Sequence, residues 1–201
     1  MSFDKIIKKR KSVRRFSVKK PDWRDIIEAV ESARHAPMAG NIYSVKFVIV
    51  EDPIKIKKIA EACQQDFIAE AQYVVVVCTD PTKTENSYPE MAQRFLNQQA
   101  GAAIQNFLLK IVDTGLSSCW IGYFEESLIK ETIKAKKKNI IEAVLPIGYE
   151  SKVKEKRSQQ REKVDLDVIL RFEKYSQKKM DPARKIEGRG TMMSSGFGRE
   201  I

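Results

Sequence analysis

One seven-residue stretch, Tyr73-Val-Val-Val-Val-Cys-Thr79, constrains the fold of this chain more than any other. Four consecutive valines between strand-favouring neighbours lack the polar alternation of a half-exposed strand. Such a strand must be covered on both faces, so the chain has to supply helices on either side of a sheet. Helical patterns are present on both sides of it in sequence. Phe3, Ile6 and Ile7 give a short amphipathic helix that stops at the basic run Lys8-Lys-Arg-Lys11. Asp22 caps a second, with the stripe Ile26, Ile27, Val30, Ala33, ending near Ala36-Pro37; Asp52-Pro53 opens a third that runs to Cys63. The longest covers 91–114 and is stopped by Gly115; another covers 126–136, and a short one 166–175. Strands are expected at 46–50, 117–122 and 140–148, the last broken near Pro146, and 80–89 reads as a polar loop. This mixed order of strands and helices predicts an α+β fold: one mixed central sheet flanked by helices, in a single domain over residues 1–180.

The formal charge of +10 narrows the partners. Between Lys130 and Arg189 there are 18 Lys and Arg against 10 Asp and Glu, so most of the excess lies late in the chain. A basic surface attracts phosphate, whether in a nucleic acid, a dinucleotide or a cofactor, but it is also an ordinary solvated-helix composition. No helix-turn-helix, zinc-ligand spacing or RNP-like motif supports nucleic acid. No apolar run approaches the roughly 20 residues of a membrane helix, and no apolar leader begins the chain, so a cytoplasmic protein is expected. Cys63, Cys78 and Cys119 form no CxxC pair and are expected to be buried free thiols. The tail 181–201 carries Ile186-Glu-Gly-Arg189, which matches a common engineered protease site, between glycine-rich flanks; it reads as a flexible extension without assigned function.

Three constellations carry possible chemistry. In Arg10-Lys-Ser-Val-Arg14 an extended backbone puts Arg10, Ser12 and Arg14 on one side, where they can grip a phosphate or the electron-rich edge of a planar ring. Taken alone, a solvated basic turn is the commoner reading. The loop Ala36-Pro-Met-Ala-Gly-Asn-Ile-Tyr-Ser44 offers backbone amides and one side-chain amide to a flat ring, and taken alone is an ordinary turn. Gly101-Ala-Ala-Ile-Gln-Asn106, followed after Gly115 by Cys119-Trp-Ile-Gly122, combines a small-residue helix face with a strand end, as a plain core pair also would.

The order and spacing of these elements resemble the nitroreductase family. That family shows an R-R-S-x-R stretch, an A-P-S-x-x-N-x-Q-P-W loop, a G-A-x-x-Q-N helix, a C-W-I-G-like strand, a late G-Y and a basic C-terminal segment. Here these stand at Arg10 to Arg14, Ala36 to Val45, Gly101 to Asn106, Cys119 to Gly122, Gly148-Tyr149 and Arg157 to Lys163, spanning roughly residues 3–175. The resemblance implies an intertwined homodimer with FMN at the interface and NAD(P)H as co-substrate. It implies that Arg10 and Ser12 hold the phosphate and ribityl region and that Lys11 adds main-chain or charge contacts. Arg14 would face the N1/O2 edge of the ring, with Arg161, or Arg157 in its place, on the phosphate. Pro37, Met38, Ala39 and Asn41 would come from the other protomer, and Ile121, Gly122 and Tyr123 would lie near N5 and O4. Hydride would pass from NAD(P)H through N5 to a nitroaromatic, quinone or flavin acceptor in ping-pong order. No side-chain acid or base and no metal is required, and His35 is expected at the surface or at a helix cap.

This sequence departs from the family pattern at Met38, where the family has serine, and at Tyr43-Ser-Val45, where it has Q-P-W. Gln99 or Ala100 stands where an acidic or hydroxyl residue often precedes the helix motif. These departures leave the acceptor and the contacts behind the cofactor open. The segment 82–90, with Tyr88, is a candidate pocket cover. The same fold also serves dehalogenation and oxygen-dependent flavin chemistry in relatives that carry longer lids, and a non-enzymatic flavin- or nucleic-acid-binding protein is the remaining alternative.

Overall fold

The computed structural model describes residues 1–152 and 164–179. The chain divides into two compact units, Met1–Ser158 and Gln159–Ile201. In the first, the valine-rich segment is strand β2 (Tyr73–Thr79), and all seven of its residues are buried. It pairs antiparallel with β1 (Val45–Val50) on one side and β4 (Ile140–Gly148) on the other; β4 in turn pairs with the short β3 (Ser117–Ser118). The strand order is β1-β2-β4-β3. Among the described residues the one parallel pairing is Ser12 against Ser118, and it makes the sheet mixed.

Helices cover both faces, as the unalternating β2 requires. On one face α2 (Trp23–Ala33) and α5 (Ala92–Asp113) pack together, and Ile26, Ala29, Ala103, Ile104 and Phe107 form a core with Val75, Val77, Leu145 and Ile147. Phe47 stacks on Phe107 there, ring centroids 5.5 Å apart. On the other face α3 (Pro53–Cys63) and α6 (Glu126–Ile133) bury Ile56, Ile59, Cys63 and Ile129 against Val74, Val76 and Val144. The capping residues do their expected work: Asp22 accepts from the Arg24 amide and Asp52 from the Ile54 amide, each at 2.9 Å. A short α1 (Phe3–Lys9) packs on α5. All three cysteines are free and buried. No helix among the described residues is long and apolar enough to cross a membrane.

Several boundaries differ from expectation, among them β3, which ends at Ser118 rather than at 122. The polar stretch 80–89 contains a helix, α4 (Thr82–Ser87), started by the Asp80 carboxylate, which accepts from the Thr82 amide and hydroxyl. Helix α2 ends at Ala33, and the chain turns through Arg34 and His35 before it reaches Pro37. Helix α6 stops at Ile133, where Lys134 turns left-handed. Pro146 does not break β4. Val144 exchanges both backbone hydrogen bonds with Ile121 on the β3 side, so Pro146, two residues on, points its missing N–H the same way. There the chain has left the ladder, since β3 stops at Ser118 and pairing resumes only at Ile121. In the second unit, the described helix is one turn, α7 (Leu166–Ile169), with no buried residue to extend it.

Candidate functional site

The basic strip begins where α1 ends. Arg10 leaves the helix in extended geometry (φ −60°, ψ 121°), and the chain then joins the edge of the sheet. The Val13 amide donates to Ser118 O at 3.0 Å, the Ser17 amide to Tyr149 O at 2.8 Å, and the Ser151 amide to Arg15 O at 3.0 Å. Along this extended run Ser12, Arg14 and Arg15 are exposed, and Val13 and Phe16, three residues apart, are buried together against Ala71. Paired residues share a face, so Ser12 lies on the same face as Ser118 and Ile147, the α5 side. Arg10 and Arg14 stand two residues to either side of Ser12 in the sequence. Lys11 points the other way, its Nζ 2.7 Å from Glu150, and Arg15 pairs with Glu70 at 2.8 Å. Beside Ser12, the Ser118 hydroxyl is buried and has no hydrogen-bond partner among the described residues. A buried hydroxyl without a partner is costly unless a ligand or solvent meets it. Two guanidiniums, a hydroxyl and this orphan donor suit an oxyanion such as phosphate.

The strand end follows directly. Ile121 is pinned to Val144 by two hydrogen bonds of 3.0 and 3.1 Å, and the Glu125 amide is held by Ala62 O at 2.8 Å. Between these fixed points Gly122 and Tyr123 are exposed, and their amides donate to nothing among the described residues. They form a pair of fixed backbone donors on the same edge as the basic strip.

Residues 36–44 make a tight turn built from the helices behind it. Gly40 and Asn41 both have positive φ (+55° and +59°). Tyr88, at the end of α4, covers Gly40 so closely that a Cβ there would sit 2.4 Å from its hydroxyl oxygen. Gln99, buried on α5, holds the turn by both ends of its amide: its Nε2 donates to Ile42 O at 2.9 Å and its Oε1 accepts from the Ser44 amide at 2.8 Å. Ser44 and Thr84 hydroxyls are 2.9 Å apart, both buried. Pro37 and Asn41 are exposed, and Met38 and Ala39 are half-buried.

The single chain brings the strip and the strand end together and keeps the turn away. Val45, next to the turn, pairs with Thr79, which pairs with Ile140 at the start of β4; Ser118 pairs with Ile147 near its end. Seven residues along the strand and three strand intervals across separate them, about 23 Å by about 14 Å, a diagonal of roughly 27 Å. Arg157 and Arg161 lie outside the described residues. His35 is exposed, 3.8 Å from Glu31. No group of His, Cys, Asp and Glu among the described residues is arranged to hold a metal. Burial pushes the Cys63 thiol up to about 12 and the Cys78 thiol to about 11, so neither is a nucleophile near neutral pH. Ser118 and the double bond of Gln99 escape a reading by motif, although a glutamine on the buried stripe of α5 between Leu96 and Ala103 is the signal that marks the second.

Known proteins share this fold. The sequence profile of the Nitroreductase family matches residues 7–66 and 57–149. A protein of Archaeoglobus fulgidus named as a NADH dehydrogenase/NAD(P)H nitroreductase is 29% identical over 150 residues, covering 72% of this chain and 83% of its own. The crystal structure of a nitroreductase family protein from Clostridium novyi NT superposes with a TM-score of 0.70 at 25% identity, covering 88% of this chain and 96% of that one. An oxidized iodotyrosine deiodinase bound to FMN and 3-iodo-L-tyrosine superposes with a TM-score of 0.67 at 23% identity, covering 82% and 98%. With the α+β sheet, the basic strip and the turn in the order that marks this group, the chain belongs to the nitroreductase family.

Proposed function

We propose that this protein is a homodimeric, FMN-dependent oxidoreductase that takes reducing equivalents from NAD(P)H and delivers them to nitroaromatic, quinone or flavin acceptors. The observation that carries the reading is the row of Arg10, Ser12 and Arg14 beside the unpartnered Ser118 hydroxyl, continuous with the donors at Gly122 and Tyr123. A phosphate end and a polar ring edge need such donors in that order, so the residues present fit FMN. Bound there, FMN would supply hydride-transfer chemistry at N5 between NAD(P)H and the acceptor.

The protein's own part is binding and electrostatics. Arg10 and Ser12 bind the phosphate and ribityl chain, joined by Arg157 or Arg161. Lys11, turned to Glu150, contributes through its backbone. Arg14 offsets the negative charge that a reduced ring gathers at its N1/O2 edge, and the Gly122 amide donates toward N5. Pro37, Met38, Ala39 and Asn41 come from the second protomer. The diagonal separation within one chain supports this, as do Phe3, Trp23 and Ile27, apolar side chains left exposed on α1 and α2.

The test is reconstitution. Protein incubated with FMN and desalted is expected to be yellow, to run as a dimer in light scattering, and to bleach on anaerobic addition of NADH or NADPH. Re-oxidation by a nitroaromatic, a quinone and a halogenated tyrosine in turn ranks the acceptors. Protein that stays colourless, or a flavin that neither nicotinamide bleaches, refutes the proposal.

A further inference from the structure

We propose that Gln99 is a positioning residue for the cofactor: its amide sets the height of the Met38–Asn41 turn and so the seat of the flavin ring in the partner protomer. The inference rests on the FMN-dimer reading above. Its ground is the pair of hydrogen bonds from one buried side chain, 2.9 Å to Ile42 O and 2.8 Å from the Ser44 amide, which close around the C-terminal side of the turn. Two consecutive residues with positive φ make that turn strained for Asn41, and a strained turn keeps its shape only if its surroundings dictate it. Tyr88 presses on Gly40 from one side, Ser44 is tied to Thr84 on another, and Gln99 satisfies the backbone groups between them. The crevice around Gln99 is lined by Ala39, Ile42, Thr84, Phe95 and Leu96, with no titratable side chain among them. Neither Ile42 O nor the Ser44 amide has another partner among the described residues, so removing the amide leaves two backbone groups unmet.

Two variants test it. Gln99→Met keeps the length and removes both hydrogen bonds. In the flavin-free protein its Ser44 amide is expected to exchange with deuterium faster than in wild type. In the loaded dimer FMN is expected to bind about tenfold more weakly, with an altered visible circular dichroism of the flavin. A merely structural role would lower the melting temperature and leave the flavin band unmoved. Gln99→Glu supplies an internal control on folding. Its protonated carboxyl can donate to Ile42 O and accept from Ser44, and its ionised form cannot donate, so its FMN affinity relative to wild type at the same pH is expected to recover as pH falls. Unchanged FMN affinity and flavin dichroism in folded, dimeric Gln99→Met, or a Gln99→Glu protein that follows the wild-type pH dependence, overturns the assignment alone. Wild-type protein that takes up no FMN overturns the functional reading and the role of Gln99 with it.

Discussion

Replacing Gly148 by alanine should loosen the basic strip from the sheet. Gly148 ends β4 opposite Ser117, and a Cβ built on it lies 3.0 Å from Phe16 Cδ1 and 3.5 Å from its Cβ and Cγ. Ordinary carbon contacts lie near 3.5–4.0 Å, so the ring must retreat by several tenths of an ångström. It has little room, because Phe16 is buried with Val13 against Ala71 and its amide is tied to Glu70 at 3.2 Å. Overpacking of this kind costs about 1–3 kcal/mol. At the middle of that range, the melting temperature of a chain this size falls by roughly 4–8 °C. The strip should also fray, read as faster deuterium exchange at the Val13 and Ser17 amides, whose acceptors are Ser118 O and Tyr149 O. Phe16→Leu supplies the control. If the ring is the obstacle, Phe16→Leu with Gly148→Ala loses less stability than the sum of the single changes, by about 0.5–3 kcal/mol in a double-mutant cycle. Additive losses, or an unchanged melting temperature for Gly148→Ala, refute the packing argument for this glycine.

Two further expectations concern titration and reactivity. Burial raises the Glu142 carboxyl above its ordinary value of 4.5, with Thr79 donating against the rise and Glu126 adding to it. The native state therefore holds this proton more tightly than the unfolded chain. Its contribution to stability is complete below pH 4.5 and is lost as pH rises through the native value. Glu142→Gln cannot ionise and still accepts from Thr79, so it should melt above wild type at pH 8 and with it near pH 4; a variant that melts no higher at pH 8 refutes the reasoning. Cys63, Cys78 and Cys119 should resist iodoacetamide in the native protein and react in denaturant, since all are buried and burial raises two of the thiols far above neutrality. Alkylation of Cys63 or Cys78 without unfolding, seen by mass spectrometry, contradicts their placement.

What was legible in the sequence was whatever rests on local pattern. The run 73–79 announces a doubly covered strand, Asp22 and Asp52 announce helix starts, and Gly115 (φ +83°) announces the end of α5. What depends on tertiary context was not. Helix α4 has no apolar stripe; the hydrogen bonds of Thr82 to the Asp80 carboxylate and one buried residue, Thr84, hold it. Pro146 reads as a break because the gap it faces, between Ser118 and Ile121, exists only once β3 is paired. The site divides the same way. The donors of 10–14 can be named from residue type, but their neighbour Ser118 stands far along the chain and meets them through a single parallel bridge. The hold of Gln99 on residues 42 and 44 likewise joins segments with two strands and two α-helices between them in the sequence.

That separation also bears on why the proposed enzyme needs two chains. Helix α5 runs from the corner of the sheet that carries the turn, at Gln99, toward the corner that carries the strip, where the Met1 amino group meets Asp113. Fourteen residues of helix span about 21 Å, in keeping with the roughly 27 Å diagonal of the sheet, and a helix of that length is too stiff to fold the corners together. A ligand touching both corners must therefore take them from different molecules. In the proposed dimer, a two-fold axis near the middle of that diagonal would set the turn of each protomer against the strip of the other, and a single symmetry operation would make two identical sites. Each site of that proposed dimer would then depend on Gln99 of one chain and on Ser12 of the other. Mixed dimers of Gln99→Met and Arg10→Ala protomers should accordingly bind about half the FMN of wild type with native affinity: one site takes both defects and the other takes neither. Two equally weakened sites in that hybrid would mean that turn and strip act within one chain, and the two-molecule site would have to be given up.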